Sequence, residues 1–217
     1  MKGRPRPPAL DAGRIAVAAL ELMDAEGAGA FTMARLAARL GVRAPSLYNH
    51  VGGKAEIVEA VRDLVVAEMD WSAFATHAWD EALEAFARSY RAAFARHPTT
   101  VPLLTATPVV APGALTMYDD VCAALVRAGW PPARVVTVVA SVEYMVLGSV
   151  LDLTTNQEMF DTAAAAEARS LAACLRAAQH DHDHAAQAAF DLGIAGLMTG
   201  LRLEFETLHR AAAARAG

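Results

Sequence analysis

Cysteine is scarce. Two thiols in 217 residues, Cys122 and Cys174, lie far apart and show no CxxC spacing. That argues against a disulfide-stapled scaffold and reads as small buried residues in a reducing cytoplasm. The motifs GxSxG, HExxH and GxGxxG are all absent, so the common hydrolase, zinc-protease and dinucleotide-binding signatures are missing. Gly52-Gly53-Lys54 is no phosphate loop, because Ala55 stands where Ser or Thr is needed. No catalytic residue, cofactor or metal site is expected. Residues 1–10 are basic and proline-rich with no apolar core, which reads as a flexible arm rather than a secretory signal. β-Branched runs are rare outside residues 133–155. With 55% hydrophobic residues, many of them alanine, the composition favours helix throughout.

One further absence is local. From Gly27 to Ala55 there is no Asp or Glu, while Arg35, Arg39, Arg43 and Lys54 are present. Residues 1–60 hold eight Lys/Arg against six Asp/Glu, in a chain whose net charge is −5. A basic head on an acidic body suits a protein that touches nucleic acid at one end. A solvated basic face on a helical hairpin is the plain alternative.

The same stretch carries a helix-turn-helix pattern. Thr32 is placed to cap a helix whose apolar face holds Leu36, Ala37 and Leu40. Gly41 suits the left-handed conformation that ends it, and Pro45 suits the first turn of the next helix. Leu47 and Val51 then share one side, leaving Ser46, Asn49 and His50 elsewhere. A preceding helix over about 11–26 supplies Ile15, Ala18, Ala19, Leu22 and Met23.

Across residues 11–60 the chain resembles the DNA-binding domain of the tetracycline repressor family. The resemblance is carried by Ala19-Leu20-Glu21-Leu22, Gly27, Phe31-Thr32, Leu36-Ala37, Leu40-Gly41-Val42, Pro45-Ser46-Leu47-Tyr48, His50-Val51 and Lys54. Residues 61–217 resemble the repressor's core more weakly. The resemblance implies an all-α fold: a three-helix DNA-binding head on a larger helical ligand-binding and dimerisation domain. It also implies a homodimeric, cytoplasmic transcriptional regulator, most often a repressor, bound to a palindromic double-stranded DNA operator and released by a small effector. An activator, a helical ligand-binding protein without DNA function and an all-helical enzyme are the alternatives.

By position, the resemblance implies that Arg43, Ala44, Pro45, Ser46 and Asn49 face base edges, and that Thr32, Tyr48, His50 and Lys54 hold phosphates. Tyr48 and His50 could instead pack the small domain. Ala34 replaces a base-contacting arginine of the tetracycline repressor, so a different operator is expected. Asp70, Phe86, Tyr90, Leu103, Met117, Tyr144 and Asp152 lie at or near ligand-pocket positions, although each could be plain core. Leu103 stands where those repressors place a magnesium-binding His, so an apolar or aromatic effector is expected instead of a magnesium complex.

Residues 133–155 are apolar enough to imitate a membrane span. Glu143 at the centre argues against one, since an ionised group there costs about 3 kcal/mol on insertion scales. A core or subunit-interface helix is the expectation, with Gly193, Gly196 and Gly200 of the last helix, about 185–214, allowing close packing. His180 to His184 alternates His and Asp. This could hold a transition metal, but the spacing fits an exposed connection better.

Overall fold

The computed structural model describes residues 10–153, 160, 162–178 and 182–216. The basic arm over 1–9 and the pair His180-Asp181 lie outside them. Every regular element described is helical: α1 (Ala12–Glu26), α2 (Met33–Leu40), α3 (Ala44–Leu47), α4 (Lys54–Val66), α5 (Trp79–Arg96), α6 (Val101–Thr105), α7 (Pro112–Ala128), α8 (Pro132–Asp152), α9 (Thr162–Ala165), α10 (Arg169–Ala178) and α11 (His182–Ala216).

Local chemistry sets the boundaries of the head. The Asp11 side chain caps α1 by accepting from the Arg14 N–H at 2.8 Å. Thr32 does the same for α2 through the Arg35 N–H at 3.2 Å. Gly41 ends α2 with φ +69°, a conformation in which a side chain would be strained, and its N–H closes onto the carbonyls of Ala37 and Ala38. Phe31, Leu36 and Leu47 are then fully buried against Ile15, Ala19 and Met23 of α1 and Ile57 and Val61 of α4. Each such side chain contributes about 1.5–3 kcal/mol by leaving water.

Head and body are not separate cores. One apolar cluster runs from Ile15 through Val65 on α4 to Phe86, Met117, Val142 and Ile194. At the exit of α1, the Thr99 hydroxyl donates to the Met23 carbonyl at 2.9 Å. His97 at the end of α5 sets Nδ1 against Asp24 of α1 at 2.8 Å and Nε2 against Glu68 at 3.1 Å. Arg96 also binds Glu68. The head therefore docks on the body through polar contacts as well as through α4.

Two expectations shift, and one holds. Residues 182–184 begin α11 rather than forming a loop; the alanines just after them favour helix, so helix extends back into the His/Asp run. Cys174 is exposed on α10, since a short amphipathic helix leaves one face to water; Cys122 is half-buried, and both are free thiols. Helix α8 is long and apolar enough to cross a membrane, but Val135, Val138, Val139, Val142, Val146 and Val150 are buried in the core. Its other face leaves Val136 and Tyr144 exposed, at 72% and 78%.

Candidate functional site

The head presents its polar side chains outward because Leu47 and Val51 are buried. Arg43, Pro45, Tyr48, Asn49 and His50 are exposed, and Ala44 and Ser46 are half-exposed beside them. Tyr48 is 55% exposed, so it faces solvent rather than packing the domain. Among the described residues, the side chains of Arg43, Tyr48, Asn49 and His50 have no hydrogen bond or ion pair. Thr32 and Lys54 are drawn to one edge. Thr32 opens α2, and Lys54, opening α4, holds its ammonium 5.1 Å from the ring centroid of Phe31, the residue before Thr32. At the same helix start, Glu56 accepts from the Gly52 N–H.

The basic patch is narrower in space than in sequence. Arg35 pairs with Glu26, and Arg39 with Glu21 at 3.0 Å, both acids coming from α1. An acid-free stretch of chain is not an acid-free surface when the preceding helix packs across it. Arg43 and Lys54 are the patch cations without an ion pair among the described residues.

The proposed ligand residues divide. Phe86, Tyr90 and Met117 are buried together, with Leu103 packed against the same cluster. Asp70 lies out at the turn after α4, where hydrogen bonds from Ser72 hold its carboxyl below the usual range. Tyr144 and Asp152 lie on the outer side of α8, in a groove of about 480 Å³ with Ser141, Met145, Phe190 and Leu197. At 100° per residue, one helix cannot direct both Glu143 and Tyr144 into the core.

Glu143 is the inward one, and the sequence offered only its charge as a signal. Its Oε1 accepts from the Tyr90 hydroxyl at 3.1 Å and from the Tyr118 hydroxyl. Burial pushes both phenols well above their usual range, and the neighbouring carboxylate raises them further. They therefore remain protonated donors. A ladder of rings flanks them, Phe74–Phe86–Tyr90–Phe94, with successive centroids 6.2, 5.7 and 5.2 Å apart.

Between this cluster and the head stands α4. Buried Arg62 pairs with Glu59 at 3.1 Å and donates to the Leu104 carbonyl and the Thr107 hydroxyl. Glu59 accepts from the Val110 and Ala111 N–H groups, each at 2.9 Å, just before α7; Asp63 accepts from the Ala114 N–H at 3.2 Å. Acidic side chains at a helix start complement its dipole. Burial would raise the Glu59 carboxyl, but Arg62 and these N–H donors outweigh it and lower it. Helix α4, which opens with Lys54 on the head, thus grips the start of α7, and Tyr118 follows one turn along.

The geometry is that of a helix-turn-helix head fixed to a helical body with a polar cluster in its core. Residues 15–61 match the family described as bacterial regulatory proteins, tetR family, and residues 75–204 match that described as tetracyclin repressor-like, C-terminal domain. The tetracycline repressor protein class A from transposon 1721 of Escherichia coli is 30% identical over 188 residues, covering 85% of this chain and 87% of its own. An HTH-type transcriptional regulator of Saccharopolyspora erythraea is 34% identical over 143 residues, 66% of this chain; the match spans only 61% of that relative's length. A solved structure of a possible TetR family transcriptional regulator from Streptomyces coelicolor A3(2) superposes with a TM-score of 0.74 at 27% identity, covering 89% of this chain and 99% of that one. The chain belongs to the tetR family of bacterial regulatory proteins.

Proposed function

We propose that the protein is a cytoplasmic transcriptional regulator, acting as a repressor, that binds a palindromic operator as a homodimer and leaves it when a small molecule occupies the body. The observation that carries this reading is the exposed, unpartnered set Arg43, Tyr48, Asn49 and His50 on a rigidly packed helix-turn-helix. Arg43 and Asn49 are the groups able to fork onto guanine and adenine; Ala44 and Pro45 offer apolar contact, and Ser46 a hydroxyl. Thr32, Tyr48, His50 and Lys54 set register on phosphates.

One head makes too few contacts for tight, specific binding. Two heads on a twofold axis would read half-sites about 34–36 Å apart. The surface suited to pair them is the outer face of α8 and α11, where Val136, Tyr144, Leu192 and Leu203 are 72%, 78%, 78% and 60% exposed. Gly196 and Gly200 on α11 leave open space there. Effector binding near Phe86, Tyr90 and Met117 would be felt at the start of α7, which α4 holds through Glu59 and Asp63. Release requires that the effector bind the two head spacings with different affinity.

Sedimentation of the protein alone and on an isolated operator, with a promoter-reporter readout, tests this. Two chains per palindrome and a promoter silenced by the protein are expected. A monomer that binds DNA at one head, or a promoter switched on, would contradict the dimeric or the repressor part respectively.

A further inference from the structure

The inference concerns the chemical class of the effector, and it rests on the reading that the body takes one. Glu143 brings a carboxylate into the most apolar helix of the chain. Both of its hydrogen bonds, from Tyr90 and Tyr118, fall on Oε1; among the described residues Oε2 accepts none, and no Lys, Arg or His pairs with the group. The side chain is half-buried, so it is not sealed from a ligand.

The nearby cation is already committed. Arg62 is close enough to Tyr118 for its charge to act on that phenol. Its guanidinium, however, is held by Glu59, the Leu104 carbonyl and Thr107. Arg62 is thus engaged elsewhere, and among the described residues no cation is hydrogen-bonded or ion-paired to Glu143. A half-buried charge without a counterion is costly, and an arriving cation that also brings apolar surface relieves that cost. The ring ladder of Phe74, Phe86, Tyr90 and Phe94 runs through Tyr90, one of the two donors to Glu143, and aromatic rings attract cations.

We propose that the body selects an aromatic molecule bearing a protonated amine, with Glu143 as its counterion and the Tyr90 and Tyr118 hydroxyls fixing the carboxylate's orientation. A neutral ring system of the same shape gains the stacking and the apolar burial but leaves the carboxylate uncompensated.

The test uses the full chain and two fluorescent three-ring probes at mildly alkaline pH: 9-aminoacridine, which is protonated there, and acridine, which is not. The unsubstituted protein should bind 9-aminoacridine at least about tenfold more tightly. Glu143→Gln keeps the shape and can still accept from both tyrosines; it should bring 9-aminoacridine to the affinity of acridine and move acridine by less than about twofold. Equal binding of the two probes by the unsubstituted protein overturns the proposal without any variant, and so does an unchanged preference in Glu143→Gln. Binding of neither probe, by protein that still binds its operator, overturns the proposed class of effector and leaves the wider effector reading standing.

Discussion

Head and body use polar side chains in opposite ways. On the head, Arg43, Tyr48, Asn49 and His50 have no partner among the described residues. In the body and along α4, Glu59, Arg62, Tyr90, Tyr118 and Glu143 are all hydrogen-bonded within the fold. A surface that must bind another molecule keeps its donors available, whereas a core must satisfy them or lose stability. Substitutions on the head should therefore alter binding and spare stability, and substitutions along α4 should do the reverse.

The largest effect is expected from Arg62→Met. It removes the cation of a buried pair and leaves Glu59 uncompensated, a loss of about 3–5 kcal/mol. Urea unfolding measures it; a loss below about 1 kcal/mol would show that the grip of α4 on the 104–111 segment is not structural. Next comes Arg43→Ala, expected to weaken operator binding by about 1–3 kcal/mol and to relax discrimination at one base pair. Its thermal midpoint should not move, because the side chain is exposed and unpaired.

Acid should loosen the fold through groups that the exposed face of the head does not use. Burial raises the Glu68 carboxyl, but hydrogen bonds and charge from His97 and Arg96 outweigh it and lower it; Glu59 is lowered as well. A carboxyl depressed in the folded state stabilises fully above its unfolded value of 4.5. That contribution is lost as pH falls from there through the folded value. Denaturation midpoints should fall with acid over that window, and Glu68→Gln should flatten the profile. The smallest effect is expected from Arg35→Ala. Arg35 is already paired with Glu26 on an exposed surface, so both stability and operator affinity should change by less than about 1 kcal/mol. A loss as large as that of Arg43→Ala would mean that Arg35 leaves Glu26 for a phosphate.

The head was legible in the sequence because its determinants are local. Thr32, Gly41 and Pro45 act on the backbone within a few residues of themselves; Leu36, Ala37 and Leu40 share one helical face, and Leu47 and Val51 are four residues apart. The exception was the Arg35 and Arg39 pairing, which depends on how α1 crosses α2. The body was legible only as helices. Glu143 meets partners 53 and 25 positions away in the chain, and no periodicity links Tyr90, Tyr118 and Glu143. Tyr144 stood at a ligand-pocket position by resemblance, yet the turn of α8 sends it to the outer groove. The start of α11 was also hidden, because His and Asp in alternation suggest a loop until the following alanines carry helix back through them.

The most direct test of the account is selection from a random double-stranded DNA library at fixed salt, run in parallel with the unsubstituted protein and with Arg43→Ala and Tyr48→Ala. The account predicts one enriched palindrome with half-sites about one helical turn apart, weakened by Tyr48→Ala across all its positions and altered in preference by Arg43→Ala. A folded protein that enriches no sequence even at low salt would contradict it and leave the exposed face of α3 without a nucleic-acid role.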